Sequence, residues 1–129
     1  MPVDDENLGR QQMNEHAYHY DGKRFRSAAA ETAAAGEAPV GHYHQSGDLI
    51  WAEFSGGRVR RGSLVGTCDS DGTLSLAYCQ VLSSGEVISG DLTSTPQLLA
   101  DGRIRLKEQW RRHGLAAATG VSYIEELRH

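Results

Sequence analysis

The chain has 129 residues, 39% of them apolar and 23% charged, with a formal net charge of −4. That length suits one domain with its own core, and without a basic stripe interleaved with aromatics nucleic acid is not an expected partner. No apolar run approaches the roughly 18 residues of a membrane span, and the opening "MPVDDENLGRQQMNEHAYH" has no apolar signal core, so the expected setting is the cytoplasm with no membrane partner.

Residues 1–19 show no hydrophobic periodicity and read as a disordered extension, leaving 20–129 as a single domain. From residue 20 onward, turn signals recur at Ser46-Gly47, Gly56-Gly57, Asp71-Gly72, Ser84-Gly85 and Asp101-Gly102. The segments between them alternate in polarity and carry β-branched and aromatic residues, which predicts strands at 22–28, 39–46, 48–55, 58–68, 73–83, 86–94, 103–112 and 117–127. Connections this short force antiparallel neighbours. Closing an eight-strand meander removes its two bare edges. The expected fold is therefore all-β, an eight-stranded antiparallel up-and-down β-barrel, with a two-sheet sandwich as the alternative.

Two segments interrupt the pattern. "SAAAETAAAGEAP" (27–39) has no 3.6-residue apolar stripe and is cut by Gly36 and Pro39, so it reads as a long mobile connection. In "STPQLLADG" (94–102), Thr95 can cap and Pro96 suits a first helical position. One short helical turn near 95–100 is expected there, folding Leu98 and Leu99 over one end of the barrel. Cys68 and Cys79 flank the Asp69–Gly72 turn out of register, too far apart for a disulfide, and are expected to be reduced.

The odd strands agree on a gradient. Strand five aims Leu74, Leu76, Tyr78 and Gln80 to one face, strand seven Ile104, Leu106, Glu108 and Trp110, and strand three Ile50, Ala52 and Phe54. Each runs from aliphatic residues near the closed rim to aromatic and hydrogen-bonding ones near the opposite rim. That rim carries the longer loops and is the expected mouth. An eight-stranded barrel is wide enough for one small ligand, and aromatic walls with a few polar groups suit such a pocket. Candidate lumen residues are Tyr43, Arg60, Tyr78, Gln80, Glu108 and Trp110. Strand four has two plausible faces; if its glycine face points inward, Arg60 would stand where it could pair with Glu108, since a buried carboxylate needs a partner or a proton. The inward register of strand eight cannot be read from alternation, and Trp51, Tyr123 and Leu127 are candidates for a homo-oligomer face.

Other chemistry is sparse. His42 and His44 share a strand face at a spacing a metal would accept, but that face is the outer one if Tyr43 and Gln45 point inward, and no third ligand with suitable spacing follows. "DSDGTL" (69–74) lacks the later Glu of a calcium loop and reads as a turn. No nucleophile motif, phosphate-binding glycine loop or CxxC occurs. The expected partner is a small, partly apolar molecule with no cofactor. The alternatives are an enzyme using Glu108 as acid/base, and a filled barrel serving as a structural or interaction module.

"YHQSGDLIWAEFSGGRVRRGSLVG", "DGTLSLAYCQV", "GEVISGDLTSTPQLLADGRIRLKEQW" and "GVSYIEEL", in that order, resemble a family of small bacterial proteins often labelled n-acetylglutamate synthase and otherwise uncharacterised. The resemblance covers residues 20 to 128 and implies an avidin-like or lipocalin-like (calycin-type) β-barrel, with no established catalytic residues to carry over. This chain differs in its Ala-rich first connection and in "RRHGLAAATG" (111–120). Acetyl-CoA-dependent acetyltransferases bind pyrophosphate on a glycine loop that opens a helix. "RRGSLVG" (60–66) is the nearest approach, and it runs straight into a hairpin.

Overall fold

The computed structural model describes residues 18–27, 38–115 and 117–128. Eight strands follow in chain order: β1 (Arg24–Ser27), β2 (Val40–Ser46), β3 (Leu49–Gly56), β4 (Val59–Cys68), β5 (Leu74–Leu82), β6 (Val87–Leu98), β7 (Ile104–Arg112) and β8 (Ala118–Glu126). Each pairs antiparallel with the next, and β8 pairs with β1 to close a barrel. The predicted architecture is the one observed. At the β2–β3 turn, Gly47 has φ 59° at the first central position of a two-residue loop, the backbone that matches the twist of the flanking strands. Most of the Ala-rich connection, and all of the N-terminal extension before Tyr18, lie outside the described residues.

Two local expectations are corrected. First, residues 95–98 form no helical turn but continue β6, with Thr95 to Leu98 facing Lys107 to Ile104 on β7. Pro96 fits a strand here for a geometric reason. The Leu99 N–H donates to the Arg103 carbonyl, so by antiparallel alternation residue 96 falls at a site that makes no bond to β7. Its missing N–H faces the side where β5 has already ended, at the Leu74–Ser94 pair, which is an edge position where proline is tolerated. Leu98 is accordingly exposed rather than a plug.

Second, Arg60 is exposed and does not turn inward. The register of β4 slips between Val59 and Arg61, so two residues occupy the space of one. Val59, Gly62 and Leu64 then point to the core, while Arg60 and Arg61 both reach solvent.

The closed end of the barrel is filled with side chains. Ile50, Leu74, Ile104 and Leu106 are fully buried there together with Tyr20 and Phe25. What covers this end is the segment leading into β1. The Tyr20 hydroxyl donates to the Gly72 carbonyl at 2.6 Å, and its backbone N–H donates to Gln45 Oε1. Tyr18 lies so close to Gly72 that an added Cβ would stand 2.7 Å from the tyrosine Cβ. Cys68 and Cys79 are both free thiols. Cys68 stands opposite Leu74, and Cys79 lies five residues further along β5, about 17 Å away at strand rise.

Candidate functional site

The other half of the barrel is hollow. A cavity of about 310 Å³ opens between β1, β2 and the inward faces of β3 to β8, with Ser27, Pro39, Gln80 and Arg112 toward its mouth. This is the rim of the longer connections, as the gradient along the odd strands predicts.

Its walls are aromatic because of a repeated device. Phe54 faces Gly62 across the β3–β4 pair, Tyr78 faces Gly90 across β5–β6, and Trp110 faces Gly120 across β7–β8. A Cβ on Gly62 would sit 2.2 Å from the Phe54 ring, one on Gly120 2.3 Å from the Trp110 indole, and one on Gly90 2.7 Å from the Tyr78 ring. Each ring therefore takes the space over a neighbouring strand where no side chain stands. The rings cover the wall instead of filling the lumen.

Glu108 stands at the inner end of the cavity, one inward step above the fully buried Leu106. Serines flank it on both adjacent strands, Ser94 on β6 and Ser122 on β8. The Ser122 hydroxyl donates to Glu108 Oε1 at 3.1 Å, whereas the Ser94 hydroxyl is buried and makes no hydrogen bond among the described residues. No cation pairs with Glu108 among the described residues. Loss of hydration outweighs the Ser122 bond and pushes the carboxyl pKa up to about 7, so its proton takes the part expected of a partner. The adjoining Tyr43 phenol is held well above its usual range, first by burial and then by the Glu108 charge.

Toward the mouth, β7 brings Arg112 into the lumen. Gly90 permits the Tyr78 ring to lie across β6, which sets its hydroxyl beside the Arg112 guanidinium. Burial raises the Tyr78 pKa, and Arg112 partly opposes that rise. The Arg112 Nε is buried with no hydrogen-bond partner among the described residues.

Of the six residues singled out from the sequence, Tyr43, Tyr78, Gln80, Glu108 and Trp110 all border this cavity, and Arg60 does not. Sequence reasoning missed Arg112 and Ser122, and it placed Phe54 on the inward face near the mouth without naming it among the candidates. Arg112 was readable by carrying the alternation 104, 106, 108, 110 one step further. Ser122 depended on the register of β8, which pairing with Glu108 decides.

The remaining polar clusters lie outside the barrel. His44 Nε2 meets Glu53 Oε2 at 2.7 Å and its ring stacks on Trp51. Asp91 binds Arg111 and His113, and Arg105 lies over the Tyr123 ring. No group of three or more metal-ligating side chains occurs among the described residues. Asp69 Oδ1 accepts the N–H groups of Asp71 and Thr73, closing the "DSDGTL" turn on itself.

Searches of curated proteins and of solved structures return no significant match. A family model described as Avidin-like protein matches residues 18–127, a span that starts at the tyrosine covering the closed end and takes in all eight strands. Avidin-like barrels typically bind small ligands and are often oligomeric. The closed eight-stranded barrel and that match together place this chain in the avidin-like protein family.

Proposed function

We propose that this protein is a non-catalytic, cytoplasmic binder of a small, partly apolar molecule held in the barrel lumen. The observation that carries the reading is Glu108: a carboxyl removed from bulk water, without a cation beside it among the described residues, at the inner end of an open aromatic-walled cavity. A barrel that served only as a scaffold would be more stable with that space filled and that position apolar. Retaining both fits a site that exchanges its solvation for a ligand's hydrogen bonds. Tyr43, Tyr78, Gln80 and Trp110 would supply walls and orienting contacts.

A thermal-shift screen of small aromatic and aliphatic compounds tests this. Compounds that raise the melting temperature of the wild type in a concentration-dependent way, and do so less in Trp110→Ala, support lumen binding. No stabilisation by any compound small enough for the cavity would count against it. A second reading gives Glu108 an acid/base role, since its pKa of about 7 is the value such a group needs at neutral pH. It requires a turnover that Glu108→Gln abolishes while binding persists.

A further inference from the structure

The charges outside the barrel are sorted by end. On the β3–β4 hairpin at the mouth, Arg58 sits in the turn, and the slip between Val59 and Arg61 sends both Arg60 and Arg61 outward. A regular strand would have aimed one of that pair into the lumen. None of the three guanidinium groups enters an ion pair among the described residues, whereas Arg103, Arg105, Arg111 and Arg128 each hold a carboxylate. Asp91 is taken up by Arg111 and His113, which leaves Glu86 as the free acid of that rim among the described residues. The turns of the closed end carry the opposite sign. Asp21, Asp48, Asp69 and Asp71 are exposed there and form no ion pair among the described residues. The mouth rim is apolar as well as basic. Leu115, in the β7–β8 connection, and Val87, at the start of β6, are the two most exposed large apolar side chains among the described residues. Val87 faces Val81 across β5–β6, and Val81 faces Arg61 across β4–β5. Basic and apolar groups thus adjoin over about 10 Å of the outer surface.

We propose that the mouth rim docks on an anionic lipid bilayer, with Arg58, Arg60 and Arg61 at the headgroups and Leu115 and Val87 entering the interface. The chain as a whole is negative, at −4, but opposite charges at the two ends orient the barrel mouth-first in the field of such a surface. A leucine that stands clear of the fold needs no matching pocket in a fluid interface, as it would on a protein partner. Its side chain also adds apolar area to the electrostatic attraction. In the cytoplasmic setting proposed above, the anionic inner leaflet is the surface at hand. The contact is peripheral. The expectation of no membrane partner rested on the lack of an apolar span, which such a contact does not need. Docking does not depend on what the lumen holds.

Sedimentation with phosphatidylcholine vesicles, with and without about 40% phosphatidylserine, tests the proposal at about 50 and 300 mM salt. The wild type should bind the anionic vesicles at low salt, lose most of that binding at high salt, and ignore the neutral ones. Each arginine at the surface is worth about fivefold in affinity, so Arg58→Gln, Arg60→Gln and Arg61→Gln together should weaken binding about a hundredfold. Leu115→Ser should weaken it several-fold, while Leu98→Ser, exposed at the closed end, should leave it unchanged. Orientation is read separately in Leu115→Trp, whose fluorescence bromine-labelled lipid should quench beyond the quenching of Trp51 and Trp110 in the wild type. No retention of the wild type on anionic vesicles overturns the proposal, as does retention that survives the triple replacement or a loss that Leu98→Ser shares. An unquenched indole in Leu115→Trp overturns it as well. If vesicles are ignored while polyglutamate binds through the same arginines, the rim meets an acidic protein and the bilayer is excluded.

Discussion

Replacing Glu108 by Gln turns the lumen electrostatics into a measurable stability profile. In the folded protein this carboxyl has a pKa of about 7, against 4.5 for an unperturbed glutamate. Because the folded state holds the proton more tightly, the native structure is favoured most below about pH 4.5. That advantage is lost progressively as pH rises from there to about 7, and the loss levels off above. Each tenfold difference in proton affinity is about 1.4 kcal/mol, so the full span is on the order of 3 kcal/mol. Solvent entering the open lumen would screen part of this, leaving about 1–3 kcal/mol. Glutamine keeps the shape and can still accept the Ser122 hydroxyl, but it never ionises. Urea unfolding of both proteins at half-unit intervals from pH 4.5 to 8.5 isolates the difference, since every other titrating group is common to the pair. The variant should match the wild type at the acid end and exceed it by 1–3 kcal/mol or so at pH 8. Parallel profiles across the whole range would refute the reasoning, because they would mean that Glu108 titrates as if solvated.

Further outcomes follow from the packing. Gly62→Ala should swing the Phe54 ring into the lumen, since the new Cβ would stand 2.2 Å from it; about 1–3 kcal/mol of stability loss and a smaller thermal shift with any compound that stabilises the wild type are expected. Gly66→Ala should be worse by urea unfolding, because its Cβ would meet the Ser75 backbone carbonyl at 1.9 Å and a strand cannot move aside as a ring can. Tyr20→Phe strands the Gly72 carbonyl at the closed end, which should lower stability by about 1–2 kcal/mol in the same assay without changing ligand affinity.

The legibility of the site differed from residue to residue. Glu108, Trp110, Tyr78 and Gln80 were readable because unbroken alternation fixes the facing of every residue in a strand once one apolar member is placed. Tyr43 followed from the same rule on β2. Arg60 was misplaced because alternation cannot register a bulge: one extra residue at the start of β4 reverses the facing of everything before it. The helical turn expected at 95–100 failed for a related reason. Pro96 and a capping threonine describe a helix start only if no neighbour offers a strand edge, and β7 offers one. Local signals lost to a long-range pairing.

By itself, then, the sequence determined the fold class, the number of strands, the closed end and the open one, and the polarity gradient along the odd strands. All of these depend on period-two patterning and short turns, which are local properties of the chain. Only the tertiary structure decided that the closed end is covered by Tyr18 and Tyr20 rather than by residues 95–100. It alone showed that rings over cross-strand glycines keep the other half hollow, and that Arg112 rather than Arg60 supplies the lumen's positive charge. Those features depend on which residues face each other across strand pairs. Register and bulges set that pairing, and they are settled only when the barrel closes.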